Sequence, residues 1–182
     1  GGRLRHLFLI HPFGALRAAG KKKAAGKKKN ERGEVASEEH RGHIGGTMPF
    51  DNALALYIHW PFCVSKCPYC DFNSHVRAAV DQEKWREALL IDLAHEAAVL
   101  PGRKLRSIFF GGGTPSLMPP ATVAALLDAA ERHWGFDEGI EITLEANPSS
   151  VEAACFADLA VAGINRVSLG LQALDDAALH FL

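Results

Sequence analysis

From Leu54 onward, short apolar runs rich in β-formers alternate with longer stretches in which apolar residues recur every three to four positions. Leu54-Ala55-Leu56-Tyr57-Ile58-His59 reads as a first strand, and the pattern of Trp85, Leu89, Leu93 and Ala97 predicts a helix from about Asp81 to Leu100, stopped by Pro101-Gly102. Ser107-Ile108-Phe109-Phe110 predicts a second strand and the stretch from about Pro120 to His133 a second helix. Ile140 to Leu144 reads as a third strand, Val151 to Ala162 as a third helix ended by Gly163, and Arg166 to Leu169 as a fourth strand before a last helix near Asp175. Strands alternating with helices of this length are the signature of βα units on a parallel sheet. The expected class is therefore α/β. Four such units do not close a barrel, and a helical pattern still running at Phe181-Leu182 leads to the expectation of a fragment of a longer protein.

Residues 1–47 look different. They carry 11 Lys and Arg against 4 acids, while residues 48–182 carry 9 against 17, so two parts of roughly +7 and −8 hide behind a total of −1. The runs Lys21-Lys22-Lys23 and Lys27-Lys28-Lys29 sit among Ala and Gly, with only a short apolar stretch near Leu7–Ile10. This segment is expected to be disordered. Its functional readings are an organellar transit peptide or a basic arm for nucleic acid or anionic membrane. The plainer ones, a solvated tail or translation begun upstream of Met48, are preferred because the ordered pattern starts just after Met48-Pro49. An acidic body gives no support for a nucleic-acid surface, and no stretch approaches the roughly 20 apolar residues of a membrane span.

Three of the four cysteines change the picture most. Cys63-Val64-Ser65-Lys66-Cys67-Pro68-Tyr69-Cys70 follows the first strand directly, a clustering that suits metal in a reducing, cytoplasmic setting better than a disulfide framework. A 4Fe-4S cluster normally takes four cysteines, so three leave one iron without a protein ligand. The competing reading is a zinc site completed by His59 or His75. Gly111-Gly112-Gly113-Thr114-Pro115 at the end of the second strand either lets a ligand approach open backbone groups or serves only as a tight βα connection. Glu145 and Gln172, after the third and fourth strands, are equally turn or cap positions. His59 shares a strand face with Tyr57, and either lines a site or packs in the core. Asp71 reads first as a loop-fixing residue and Cys155 as a buried helical cysteine.

Tyr57-Ile58-His59-Trp60-Pro61-Phe62-Cys63, the cysteine loop, Cys70-Asp71-Phe72-Asn73-Ser74 and Gly111 to Pro115 together resemble the radical S-adenosylmethionine (SAM) group that contains oxygen-independent coproporphyrinogen III oxidase. The wording Cys-Pro-Tyr-Cys-Asp-Phe-Asn-Ser-His is similar to its heme chaperone branch. The dehydrogenase branch usually has a further cysteine where this chain has Phe72. The resemblance implies a partial (β/α)6 barrel, with Cys63, Cys67 and Cys70 on three irons of a 4Fe-4S cluster and SAM chelating the fourth. It also implies Tyr57 near the sulfonium, Tyr69 near the adenine, Gly112, Gly113 and Thr114 on the methionine portion, and Glu145 and Gln172 as further SAM contacts.

The chemistry so implied is one-electron cleavage of SAM to methionine and a 5′-deoxyadenosyl radical, in a water-poor mouth lined by Tyr57, Phe62 and Phe72. The implied partners are heme or a porphyrinogen, an electron donor such as a flavodoxin or ferredoxin, and a recipient hemoprotein. Three readings follow: a heme chaperone first, then a coproporphyrinogen III oxidase, then a zinc-stabilised module. His59 is the candidate catalytic residue.

Overall fold

The computed structural model describes residues 8–12, 52–148 and 150–181. Its elements in chain order are β1 (Phe8–Pro12), β2 (Ala53–Trp60), β3 (Phe62–Cys63), β4 (His75–Val76), α1 (Gln82–Val99), β5 (Lys104–Gly112), α2 (Pro120–Trp134), β6 (Phe136–Ala146), α3 (Ser150–Val161), β7 (Arg166–Leu169) and α4 (Asp176–Phe181).

Strands β2, β5, β6 and β7 lie side by side, parallel and in chain order. That order is the wall of a βα barrel; a doubly wound sheet would reverse direction part-way. Along β2 burial alternates, with Leu54, Leu56, Ile58 and Trp60 buried and Ala55, Tyr57 and His59 half-buried. The buried face joins Leu105, Ile108, Phe110, Ile142 and Leu144 to Leu89 and Leu93 of α1 and to Val123, Leu126 and Ala130 of α2 in one core. The other face is polar, because register puts Tyr57 beside Phe109 and His59 beside Gly111, with Thr143 and Glu145 on the same side of β6.

Local chemistry sets the helix limits. The Asp81 side chain accepts from Lys84 N at 3.2 Å to cap α1. Pro120 opens α2, and Gly135, at φ 68°, ends it. Trp134 Nε1 donates to Leu100 O at 2.9 Å, tying the ends of both helices together.

Two features depart from the sequence reading. Phe8–Pro12, inside the segment expected to be disordered, pairs antiparallel with the outer edge of β2, from Phe8 opposite Ile58 to Pro12 opposite Leu54. An open strand edge with unpaired N–H and C=O groups is the reason a short extended segment can dock there. The rest of residues 1–47 lies outside the described residues. Strand β6 also begins earlier than its apolar run, with a register shift that sets Leu105 opposite Phe136 but Ser107 opposite Glu141.

Candidate functional site

The site grows from the carboxyl ends of β2 and β5. After Trp60 the chain turns into β3, and β3 pairs with β4 so that Phe62 meets His75 and Cys63 meets Val76. His75 N donates to Pro61 O at 2.7 Å and Arg77 N to Cys63 O at 3.4 Å. These bonds pinch the cysteine loop at its roots. Within it, Cys70 N donates to Cys67 O at 3.1 Å.

The glycine-rich turn lies directly beneath. A Cβ on Gly113 would stand 2.7 Å from Phe62 O and 2.9 Å from Cys63 Sγ, and one on Gly112 would meet the His59 ring at 2.6 Å and Trp60 O at 2.8 Å. Gly113 N donates to Trp60 O at 2.7 Å and Thr114 N to Phe62 O at 2.9 Å. The glycines are therefore required first for the cysteine loop to seat against the sheet. Of the two readings of this turn, the N–H groups of Gly113 and Thr114 favour the tight connection, because the carbonyls of Trp60 and Phe62 take both. Gly112 N donates to Glu145 Oε2 at 3.4 Å.

On the polar face the Tyr57 ring stacks on Phe109, with centroids 6.0 Å apart and planes 15° from parallel. Burial, and then the nearby Glu145 carboxylate, push the Tyr57 hydroxyl above its ordinary range, since both disfavour the phenolate. His59 Nε2 donates to Asn73 O at 3.0 Å, and Nδ1 lies 3.3 Å from the Tyr57 hydroxyl. Both ring nitrogens are engaged, so His59 is not free to complete a zinc site; His75 is exposed on β4.

The fold thus gathers Tyr57, His59, Cys63, Gly112, Gly113, Thr114 and Glu145 at one sheet end. Of the other residues expected there, Tyr69 and Gln172 are more exposed. Tyr69 is exposed in the cysteine loop. Gln172 is exposed on the turn after β7 at φ 60°, a left-handed conformation uncommon outside glycine, and its Nε2 lies 2.8 Å from where a Cβ on Gly170 would stand. Phe62 is buried against Trp60 and Trp85, at centroid distances of 5.2 and 4.9 Å, and Phe72 is 64% exposed, so neither lines the mouth as expected. Asp71 is exposed, and Cys155 is half-buried beside the core.

None of the four cysteines, all of them among the described residues, is in a disulfide. The Cys70 thiol is held below its ordinary value first by a hydrogen bond from Ser74, then by the Phe72 backbone and more weakly by Lys66. Among the described residues, no three His, Cys, Asp or Glu side chains already stand together as a metal polyhedron. Cys63 is half-buried at the loop root, and Cys67 and Cys70 are half-buried in an otherwise exposed loop.

The family model described as the Radical SAM superfamily matches residues 57–182, from the site's first tyrosine through β7 and α4. This chain belongs to the radical SAM superfamily. Among curated radical SAM relatives, the heme chaperone HemW of Escherichia coli (strain K12) is 46% identical over 130 residues, covering 71% of this chain and 34% of the relative. The radical S-adenosyl methionine domain-containing protein 1, mitochondrial, of Bos taurus is 43% identical over 134 residues, covering 74% and 30%. In structure, the chain is similar to the coproporphyrinogen III oxidase HemN from Escherichia coli, described as a radical SAM enzyme, with TM-score 0.59 and 29% identity over 66% of this chain and 28% of that one. These relatives place it in the HemN-like group.

The chain spans about a third of the length of the curated relatives it matches. Superfamily membership implies a 4Fe-4S cluster and SAM in general terms. The residues present fit such a group: three soft thiols on one loop, a glycine cradle under Cys63, and a Cys70 sulfur biased toward the thiolate. Among the described residues no helix is long and apolar enough to cross a membrane.

Proposed function

We propose that this chain binds a 4Fe-4S cluster through Cys63, Cys67 and Cys70, binds SAM beside it, and belongs to a protein that holds heme for transfer to recipient hemoproteins. The observation that carries the cluster assignment is the seating of Cys63 against Gly113, which roots a three-thiol loop at the open end of a parallel sheet. The heme assignment is supported by relatives named heme chaperones and by Phe72, which stands where the decarboxylating branch usually has another cysteine.

The chemistry that a cluster with one open iron supplies is one-electron reductive cleavage of SAM. The chain's own residues bind and orient. The Tyr57 ring, pinned on Phe109, presents a phenol that stays protonated because of burial and Glu145. Glu145 holds Gly112 N and offers a carboxylate to the SAM ammonium. Gly112, Gly113 and Thr114 shape the seat for the methionine portion, Tyr69 takes the adenine side, and Gln172 reaches SAM from the β7 turn. Three cysteines clustered in one loop fit a reducing compartment such as the cytoplasm, with a flavodoxin- or ferredoxin-type electron donor.

The test is anaerobic iron–sulfur reconstitution followed by heme titration and a coproporphyrinogen assay on one sample. A brown protein with about four irons per chain, lost in Cys67→Ala, together with heme binding and no porphyrinogen turnover, is the expected result. Conversion of coproporphyrinogen III to protoporphyrinogen IX selects the oxidase reading, which the likeness to HemN supports. A colourless protein holding one zinc overturns both.

A further inference from the structure

The segment after the third cysteine is anchored twice to the sheet side. His59 Nε2 donates to Asn73 O at 3.0 Å, and His75 N donates to Pro61 O at 2.7 Å. Between these anchors stands Ser74, whose hydroxyl lies 3.5 Å from the Cys70 sulfur. A carbonyl only accepts, so the Asn73 contact requires the proton on Nε2. In the neutral ring Nδ1 is then bare, and the Tyr57 hydroxyl 3.3 Å away donates to it. Tyr57 therefore selects the tautomer of His59 that can grip Asn73.

We infer that Ser74 donates a hydrogen bond to the Cys70 sulfur when that sulfur ligates iron, and that His59, acting through Asn73, is the positioning residue that holds Ser74 there. The inference rests on the cluster reading. A metal-bound thiolate carries no proton, so the direction of the bond is fixed: only the hydroxyl can donate. Hydrogen bonds to cluster sulfurs favour the more negatively charged, reduced state and so raise the reduction potential. On this account Ser74 makes the cluster easier to reduce, and His59 contributes without touching SAM or iron.

The experiment is an EPR-monitored redox titration of the anaerobically reconstituted protein and of Ser74→Ala, Ser74→Thr, His59→Leu and His59→Gln, with iron and sulfide counted in every sample. The midpoint is expected to move to more negative potential in Ser74→Ala and His59→Leu. It should return toward wild type in Ser74→Thr, which keeps the hydroxyl, and in His59→Gln, whose amide can donate to Asn73 O. Hydrogen exchange on the cluster-free protein should show faster exchange of the His75 amide in His59→Leu than in His59→Gln.

An unchanged midpoint in Ser74→Ala at full iron content overturns the role of Ser74, and an unchanged midpoint and exchange rate in His59→Leu overturn that of His59. Iron lost in Ser74→Ala but kept in Ser74→Thr supports the bond; iron lost equally in both overturns it. A wild-type protein that takes up no iron sinks the cluster reading and the inference with it, and is recognisable without any variant.

Discussion

The Cys63 sulfur lies 2.9 Å from the point where a Cβ on Gly113 would stand, so the root of the cysteine loop and the turn after β5 share one van der Waals surface. The obstructing atoms include the Phe62 carbonyl at 2.7 Å, which is backbone and cannot swing aside.

Gly113→Ala is therefore expected to displace the loop root, lowering stability by about 1–3 kcal/mol, the usual cost of forcing extra volume into a packed site. Iron retained after reconstitution should fall with it. Gly102→Ala is the control: with nothing within 4 Å and φ 71°, it meets only backbone strain and should leave iron content unchanged. Thermal melts and iron analysis on both variants decide the matter, and equal iron content would contradict the shared surface.

Cys155 separates structural from ligating thiols. It is half-buried against the core on α3. Cys155→Ala should keep its iron, whereas alanine at Cys63, Cys67 or Cys70 should abolish the chromophore. Colorimetric iron on the four variants gives the answer.

Asn165 extends the sheet with its side chain. Its Oδ1 accepts from Ile142 N at 2.8 Å and its Nδ2 donates to Ile140 O at 2.7 Å, so one amide replaces a missing rung beside β6. Asn165→Ala leaves both backbone groups without these partners and should cost about 1–2 kcal/mol in denaturant unfolding. An unshifted midpoint would show that water replaces both bonds.

Tyr57 should titrate above an ordinary tyrosine, since burial and the Glu145 charge both oppose the phenolate. In a Tyr69→Phe background, which leaves Tyr57 as the remaining tyrosine, Glu145→Gln removes the charge and should move the phenolate absorbance step to lower pH. A step that does not move, or moves upward, would show that the carboxylate is not felt at Tyr57. Because the folded-state value is raised, the linked stability is intact below the ordinary value of 10.0 and is lost as the pH climbs through the raised one.

Much of this arrangement is legible in the residues themselves. Apolar spacing placed α1 and α2 because a helix buries every third or fourth residue and a strand every second. Alternation along β2 puts Tyr57 and His59 on one face. The mini-sheet of β3 and β4 was not legible, because its rungs are backbone bonds between two-residue strands far apart in sequence, which no local periodicity marks. Asn73 and Ser74 looked like ordinary loop residues; a polar side chain reveals its partner only once the chain has folded back.

The α/β class, the order of elements and the three-thiol loop are written in the residue order, because burial periodicity and cysteine spacing are properties of neighbouring residues. What the glycines face, which carbonyl His59 holds and which sulfur Ser74 approaches are set by folding. Those depend on segments brought together across the sheet, where a few tenths of an ångström separate contact from clash.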